Sequence, residues 1–306
     1  MENHIETVDA VERHGHRNGS AQVFVPMKHH DGERLLQHRP RVTKEADRHA
    51  PPLTLSVVIP TWNEAANIGP VLKQLVRFDD IVIVDAFSDD GTVEVARQVR
   101  PDLTLVERPP AGKGDALRAG FEAATGDVIV IMDADGSMDV REIDVFMSMI
   151  AVGFDLVKGS RHAVGGGSHD LTVIRSLGNR ALCGLANTLF HTSWTDLCYG
   201  YLAFRRDCLP RLALAADGFE IESQILAHAA LAGLRIAEIP SIEMPRLTGE
   251  SHLNARRDGA RILRTMLAAR FSPRARRSAA ALRPLSVTRG FDVEEPDFGV
   301  ASTRVV

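Results

Sequence analysis

From Leu55 onward the chain alternates short, almost wholly apolar runs with segments of helical periodicity, and this alternation limits the fold more than any other feature. LSVVIP reads as a buried strand, and IVIV (Ile81 to Val84), LTLVE and VIVIM (Val128 to Met132) as the strands that follow it in a mostly parallel sheet. Between them, Ile68, Val71, Leu72 and Leu75 fall at i, i+3, i+4 and i+7, and TVEVARQV reads as a short helix. Leu117, Phe121 and Ala124 repeat the helical spacing, as do Ile143, Phe146, Met147 and Ile150. The pattern predicts an α/β domain whose mostly parallel central sheet is flanked by helices. VIVIM, the most apolar run, is expected at the centre of the sheet. Asp139 is expected to cap the helix after it, and Gly69 and Pro70 to be tolerable only in the first turn of theirs.

Beyond residue 150 the alternation loosens. LVKGSR ends a strand, GGGSHD is a flexible loop, and Ile174 to Phe190 is a long helix carrying Leu177, Ala181, Leu185 and Leu189. YGYLAFR alternates like a strand, IESQILAHAALAG is a helix closed by Gly233, and RIAEIPSIEM is a strand interrupted at Pro240. These elements bound a single domain at 53–271. Residues 1–52 are polar, hold seven of the twelve histidines before Pro51 and lack hydrophobic periodicity; they read as a disordered N-terminal tail. Residues 272–306, Arg-rich and then acidic, read as a second tail.

Several classes are excluded. No run approaches the roughly 18 to 20 apolar residues that a membrane span needs, and the N-terminus lacks the build of a signal peptide, so a cytoplasmic location is expected. The three cysteines, Cys183, Cys198 and Cys208, have neither the spacing of a zinc site nor an even count. GxGxxG and GxxxxGK[ST] are both absent, which removes the dinucleotide-binding dehydrogenase and P-loop readings. A sugar nucleotidyltransferase would show a Gly-rich, Arg-containing loop after the first strand, where this chain has TWNEAANI.

In open α/β sheets ligands bind beyond the carboxyl ends of the strands, and the polar clusters lie at those ends. PTWNE (Pro60 to Glu64) follows strand one, DAFSDDGT (Asp85 to Thr92) strand two, AGKGD (Ala111 to Asp115) strand three and DADGS strand four. Taken singly, each cluster could be a turn or a helix start. The strongest is the pair Asp133 and Asp135: two hard carboxylates at a strand end suit Mg²⁺ or Mn²⁺ held jointly with substrate phosphates.

VVIPTWNEAANI, the Asp85 segment, GKGDAL, DADGS, KGSR, DLCYGYLAFRR and RLTGESHL, in this order over Leu55 to Ala269, resemble glycosyltransferase family 2, and within it the dolichol- or polyprenyl-phosphate mannosyltransferase branch. The resemblance implies the GT-A (nucleotide-diphospho-sugar transferase) fold. It also implies transfer, with inversion, of mannose or glucose from a GDP- or UDP-sugar to an acceptor, polyprenyl or dolichyl phosphate foremost. Nucleotide-sugar contacts would fall to Pro60, Trp62, Glu64, Asp85, Lys113, Asp133, Ala134, Asp135 and Arg246. The metal, Mg²⁺ or Mn²⁺, would fall to Asp133 and Asp135, and the acceptor to Ser137, Arg161, Arg175 and Ser251. Catalysis would rest on Asp135, Arg161 and Asp196. The chain departs from the family in having Asp85-Ala86 where paired acids are common, and in lacking the C-terminal membrane helices of many close relatives.

A lipid phosphate is already a nucleophile and needs cations such as Arg161 and Arg175 to position it, but no base. A hydroxyl of a glycan or small molecule would need a carboxylate to take its proton, with Asp196 the first candidate and Glu222 behind it. A non-catalytic nucleotide-sugar-binding protein is the remaining alternative. Arg257, Arg261 and Arg264 share a helical face that suits docking on the anionic inner surface of a cell membrane, although a solvated helix end has the same pattern. No aromatic interleaving or recognised module points to nucleic acid.

Overall fold

The computed structural model describes residues 52–249 and 254–271. The two expected tails, apart from Pro52, lie outside the described residues, and so does Ser251. Nine strands and eight α-helices are described: β1 (Leu55–Thr61), α1 (Ala65–Gln74), β2 (Asp80–Asp85), α2 (Thr92–Val99), β3 (Thr104–Glu107), α3 (Lys113–Ala123), β4 (Val128–Ile131), α4 (Glu142–Ala151), β5 (Leu156–Ser160), β6 (Gly167–Ser168), α5 (Val173–Phe190), β7 (Leu202–Arg205), α6 (Leu209–Leu212), α7 (Ile221–Leu231), β8 (Ile236–Pro240), β9 (Ile242–Glu243) and α8 (Ala255–Phe271).

Seven strands form one sheet in the order β3-β2-β1-β4-β7-β5-β8, with β4 at its centre as expected from its composition. Every pairing is parallel except those of β7, which runs antiparallel between β4 and β5. Both faces of the sheet are covered. Val57, Ile59, Val128 and Val130 face a core closed by α1 and α4, and Val58, Ile129 and Ile131 face a second core closed by α3, α5, α7 and α8. Val128 to Ile131 are wholly buried, and burying each such side chain stabilises the fold by roughly 1.5–3 kcal/mol. That two-sided burial is why β4 carries no polar alternation.

Local departures from the sequence expectations have physical reasons. Helix α1 begins at Ala65, so Pro70 lies in its second turn; Ile68, Val71, Leu72 and Leu75 are all fully buried, and this packing holds the helix despite the missing N–H. Asp139 does not cap α4. Its carboxylate accepts the Arg141 N–H (2.9 Å) and makes the turn that precedes the helix. In α5 the buried residues are Asn179, Cys183, Ala186 and Phe190, whereas Leu177 is exposed. The loop containing GGGSHD holds a two-residue strand, β6, paired with β9. None of the described helices is long and apolar enough to cross a membrane.

Candidate active site

Beyond the carboxyl ends of β1, β2 and β4 lies a cavity of about 470 Å³. Pro60, Trp62, Glu64, Asp85, Lys113, Asp133, Ala134, Asp135 and Arg246, the nine residues expected to meet a nucleotide sugar, all line it. A second cavity, of about 150 Å³, lies on the side of α5 and is lined by Arg161, Arg175, Asn179, Tyr199, Glu222 and Glu243 among others. Lys113, Asp133, Phe219 and Arg246 line both cavities, so the two meet at these four side chains.

The loop chemistry explains how these groups are placed. Gly112 and Gly114 flank Lys113, and a Cβ on either would lie 2.2–2.3 Å from the carbonyl oxygen of Asp217 or Ala216. Only glycine lets this turn pack against residues 216–217, where the Gly114 N–H donates to the Asp217 carbonyl (2.8 Å). Lys113 Nζ then lies 2.7 Å from Asp133 Oδ1 and 2.8 Å from Glu222 Oε1. Burial would lower the pKa of Lys113, but the two carboxylates raise it well above the ordinary lysine value. Burial raises the Glu222 carboxyl, with Lys113 opposing the shift.

Asp135 Oδ1 accepts the Ser137 N–H at 2.9 Å, and Oδ2 lies 2.9 Å from Arg246 Nη1. The Arg246 segment is fastened over the turn. The Leu247 N–H donates to the Asp135 carbonyl (3.0 Å), and Thr248 Oγ1 donates to Asn67 Oδ1 (2.7 Å). Gly136 permits this closure, with φ +77° and the Leu247 side chain where a Cβ would otherwise sit. Asn67 Nδ2 also donates to Glu64 Oε2 at 2.6 Å. Burial raises the Glu64 carboxyl; the Asn67 bond opposes this and the nearby charge of Asp135 adds to it. Asp85, fully buried, accepts from Thr61 Oγ1 (2.9 Å) and from the Ser88 hydroxyl and N–H, tying together the ends of β1 and β2.

Two groups singled out from the sequence, Arg161 and Asp196, pair with each other. Arg161 donates from Nε to Asp196 Oδ2 (2.8 Å) and from Nη2 to Asp196 Oδ1 (3.1 Å), and its Nη1 lies 3.3 Å from both Glu243 oxygens. Its guanidinium also stacks on Tyr199, 4.7 Å from the ring centre. Burial would raise the Asp196 carboxyl, but Arg161 holds it down at about 2. Asp196 is wholly buried and its loop is clamped by Glu238, which accepts the Thr195 and Asp196 N–H groups and pairs with the buried Lys158. In this arrangement both carboxylate oxygens of Asp196 are taken up by Arg161. Arg161 lines the second cavity, as an acceptor-side cation would, while Asp196 lines neither cavity and lies behind Arg161. Ser137 is buried beneath the Arg246 segment and lines neither cavity.

Arg175 does line the second cavity. Residues not singled out from the sequence also contribute. Asp258 of α8, fully buried, pairs with Arg257 (3.1 Å) and lines the second cavity, while Arg257 itself lines the first. Tyr199, Phe219 and Asn179 had no signal of their own in the sequence, where the helical spacing marked Leu177, Ala181, Leu185 and Leu189 rather than the stripe of Asn179, Cys183, Ala186 and Phe190 that is buried.

As a metal site, the described residues offer two carboxylates, with no cluster of three His, Cys, Asp or Glu ligands. Two hard oxygen donors at a strand end fit a Mg²⁺- or Mn²⁺-type ion that completes its shell with substrate oxygens and water.

The fold and the paired carboxylates define a nucleotide-sugar-dependent class of transferase, and the comparisons with known proteins specify it. The family model described as glycosyl transferase family 2 matches residues 56–212, and the chain belongs to that family. A dolichyl-phosphate hexose transferase of Haloferax volcanii is 32% identical over 212 residues, spanning 68% of this chain and 90% of the relative. Glycosyltransferase AglJ of the same organism is 28% identical over 213 residues, spanning 68% and 69%. Among solved structures, glucosyl-3-phosphoglycerate synthase from Mycobacterium tuberculosis, in complex with Mn²⁺, UDP-glucose and phosphoglyceric acid, aligns with TM-score 0.56 and 25% identity over 71% of this chain and 79% of that one. The protein is thus a glycosyltransferase of GT-A fold, as the ordered sequence blocks implied.

Proposed function

We propose that the protein transfers a hexose, mannose or glucose, from a GDP- or UDP-sugar to a phosphate-bearing acceptor, polyprenyl or dolichyl phosphate foremost. The observation that carries this reading is the meeting of two cavities at Lys113, Asp133, Phe219 and Arg246. The larger cavity takes the nucleotide sugar, with Trp62, Glu64 and Asp85 at the nucleoside and Asp133, Asp135, Lys113 and Arg246 at the diphosphate. A divalent cation bound by Asp133 and Asp135 supplies charge neutralisation to the departing diphosphate. Lys113 and Arg246, already beside those carboxylates, add fixed positive charge where the leaving group develops its own. The acceptor oxygen bonds to the anomeric carbon from the smaller cavity as the bond from that carbon to the diphosphate breaks, which inverts the configuration.

Phosphate is favoured over a hydroxyl because the carboxylates near the meeting point are engaged. Asp196 and Glu243 pair with Arg161, and Glu222 pairs with Lys113. A phosphate oxyanion needs none of them as base. The dolichyl-phosphate acceptor in the name of the Haloferax relative supports the same chemistry. One observation favours a hydroxyl acceptor: the burial-raised Glu222 carboxyl lies at the junction and becomes a base if Lys113 turns to the diphosphate. A cytoplasmic protein with a lipid-borne acceptor would work at the inner face of the cell membrane. The outward face of α8, with Arg264 beside exposed Leu263 and Leu267, fits such peripheral contact.

Incubation with radiolabelled GDP-mannose and UDP-glucose, Mn²⁺ and polyprenyl phosphate tests the acceptor. The expected result is label in an organic-extractable product. Label carried only by water-soluble glycans overturns the lipid-phosphate reading.

A further inference from the structure

We propose that Asn179 of α5 is an acceptor-binding residue, its side-chain amide donating a hydrogen bond to an oxygen of the acceptor's phosphomonoester. The inference rests on the phosphate-acceptor reading above. Asn179 is 3% exposed and lines the smaller cavity. Its Oδ1 accepts the backbone N–H groups of Leu197 (3.0 Å) and Cys198 (3.2 Å). Those two bonds fix the orientation of the amide, because the flipped group would set its NH₂ against two N–H donors. Nδ2 therefore points away from residues 197–198, and among the described residues it has no hydrogen-bond partner. Buried donors are seldom left unpaired in folded proteins, so this one calls for an oxygen supplied by what the cavity binds.

The surroundings indicate which oxygen. Arg175 precedes Asn179 by four residues on α5, one helical turn away on the same face, and lines the same cavity. A guanidinium and a neutral amide donor, one turn apart, are suited to a group that presents several acceptor oxygens and negative charge. Leu171, Ile174, Leu182 and Ile262 supply the apolar part of the lining. A phosphate with an alkyl substituent matches that combination, whether the substituent is a polyprenyl chain or the carbon of a small metabolite.

Asn179→Asp is the informative variant, because it keeps the oxygen that holds residues 197–198 and replaces the donor with an anion. Asn179→Ala leaves two buried N–H groups unpaired and serves only to gauge folding. Transfer from labelled donor is measured with farnesyl phosphate in one arm and glycerol 3-phosphate in the other, alongside GDP and UDP binding in Mn²⁺ and thermal unfolding. For whichever phosphomonoester the wild type uses, N179D raises the acceptor KM on the order of 10- to 100-fold, while nucleoside diphosphate affinity and unfolding temperature stay at wild-type values. A structural role alone would not separate acceptor KM from nucleotide affinity. A wild-type acceptor KM in N179D overturns the assignment and leaves the phosphate-acceptor reading intact. Wild-type transfer to neutral hydroxyls but to neither phosphomonoester overturns both.

Discussion

The guanidinium of Arg246 lies 2.9 Å from the carboxylate of Asp135, across the turn between β4 and α4, although 111 residues separate them in sequence. The charge of the Arg246 segment thus reaches the carboxylate expected to hold the metal and the donor diphosphate. Arg246→Ala should lower kcat/KM for the nucleotide sugar on the order of a hundredfold, the usual cost of removing one preorganised donor at a leaving group. Arg246→Lys should recover only part, since an ammonium lacks the planar fork. Steady-state kinetics with varied donor and fixed acceptor check both.

The Arg161–Asp196 pair predicts an acid-sensitive fold. The Asp196 pKa is held at about 2 against an ordinary value of 3.8. A carboxylate depressed in the folded state contributes stability above its unfolded pKa and loses it as pH falls through the folded one. The contribution is about 2 kcal/mol, present above about pH 4 and lost progressively toward pH 2. Asp196→Asn leaves Arg161 buried with Glu243 alone and should cost on the order of 3–5 kcal/mol near neutral pH. It should also flatten that acid limb. Urea titrations of both proteins from pH 2 to pH 7 measure the two effects.

The cysteines carry a third expectation. Burial raises the thiols of Cys183, Cys198 and Cys208 to about 12, so almost no thiolate is present at pH 8. Native protein should resist iodoacetamide at that pH, and all three thiols should react after unfolding. Rapid native alkylation of Cys198, which lines the smaller cavity, would show that this wall opens.

Periodicity located the strands and helices because two-sided burial leaves an unmistakable apolar run, and β4 fell at the sheet centre for that reason. The lining of the larger cavity was equally legible: its residues come from short motifs at successive strand ends, and a parallel sheet necessarily gathers those ends. The smaller cavity was not. It depends on β7 reversing direction between β4 and β5, on α5 turning Asn179 inward and Leu177 outward, and on Arg161 meeting Asp196 and Glu243 from distant segments. Ion pairing between remote residues leaves no local pattern. The pairing of Arg161 with Asp196 therefore had no signature in the sequence. Helical spacing likewise shows which arginines share a face, but not that Arg257 also pairs with Asp258 and lines the larger cavity.

The proposed role of Asp133 and Asp135 in metal-dependent transfer from a nucleotide sugar is measured by turnover of GDP-mannose and UDP-glucose by wild type and Asp135→Ala, each with Mn²⁺ and with chelator. The expected result is wild-type turnover of one donor that requires Mn²⁺ and is lost in D135A at unchanged thermal stability. Turnover of neither donor by the wild type, or D135A retaining full Mn²⁺-dependent activity, would contradict the account.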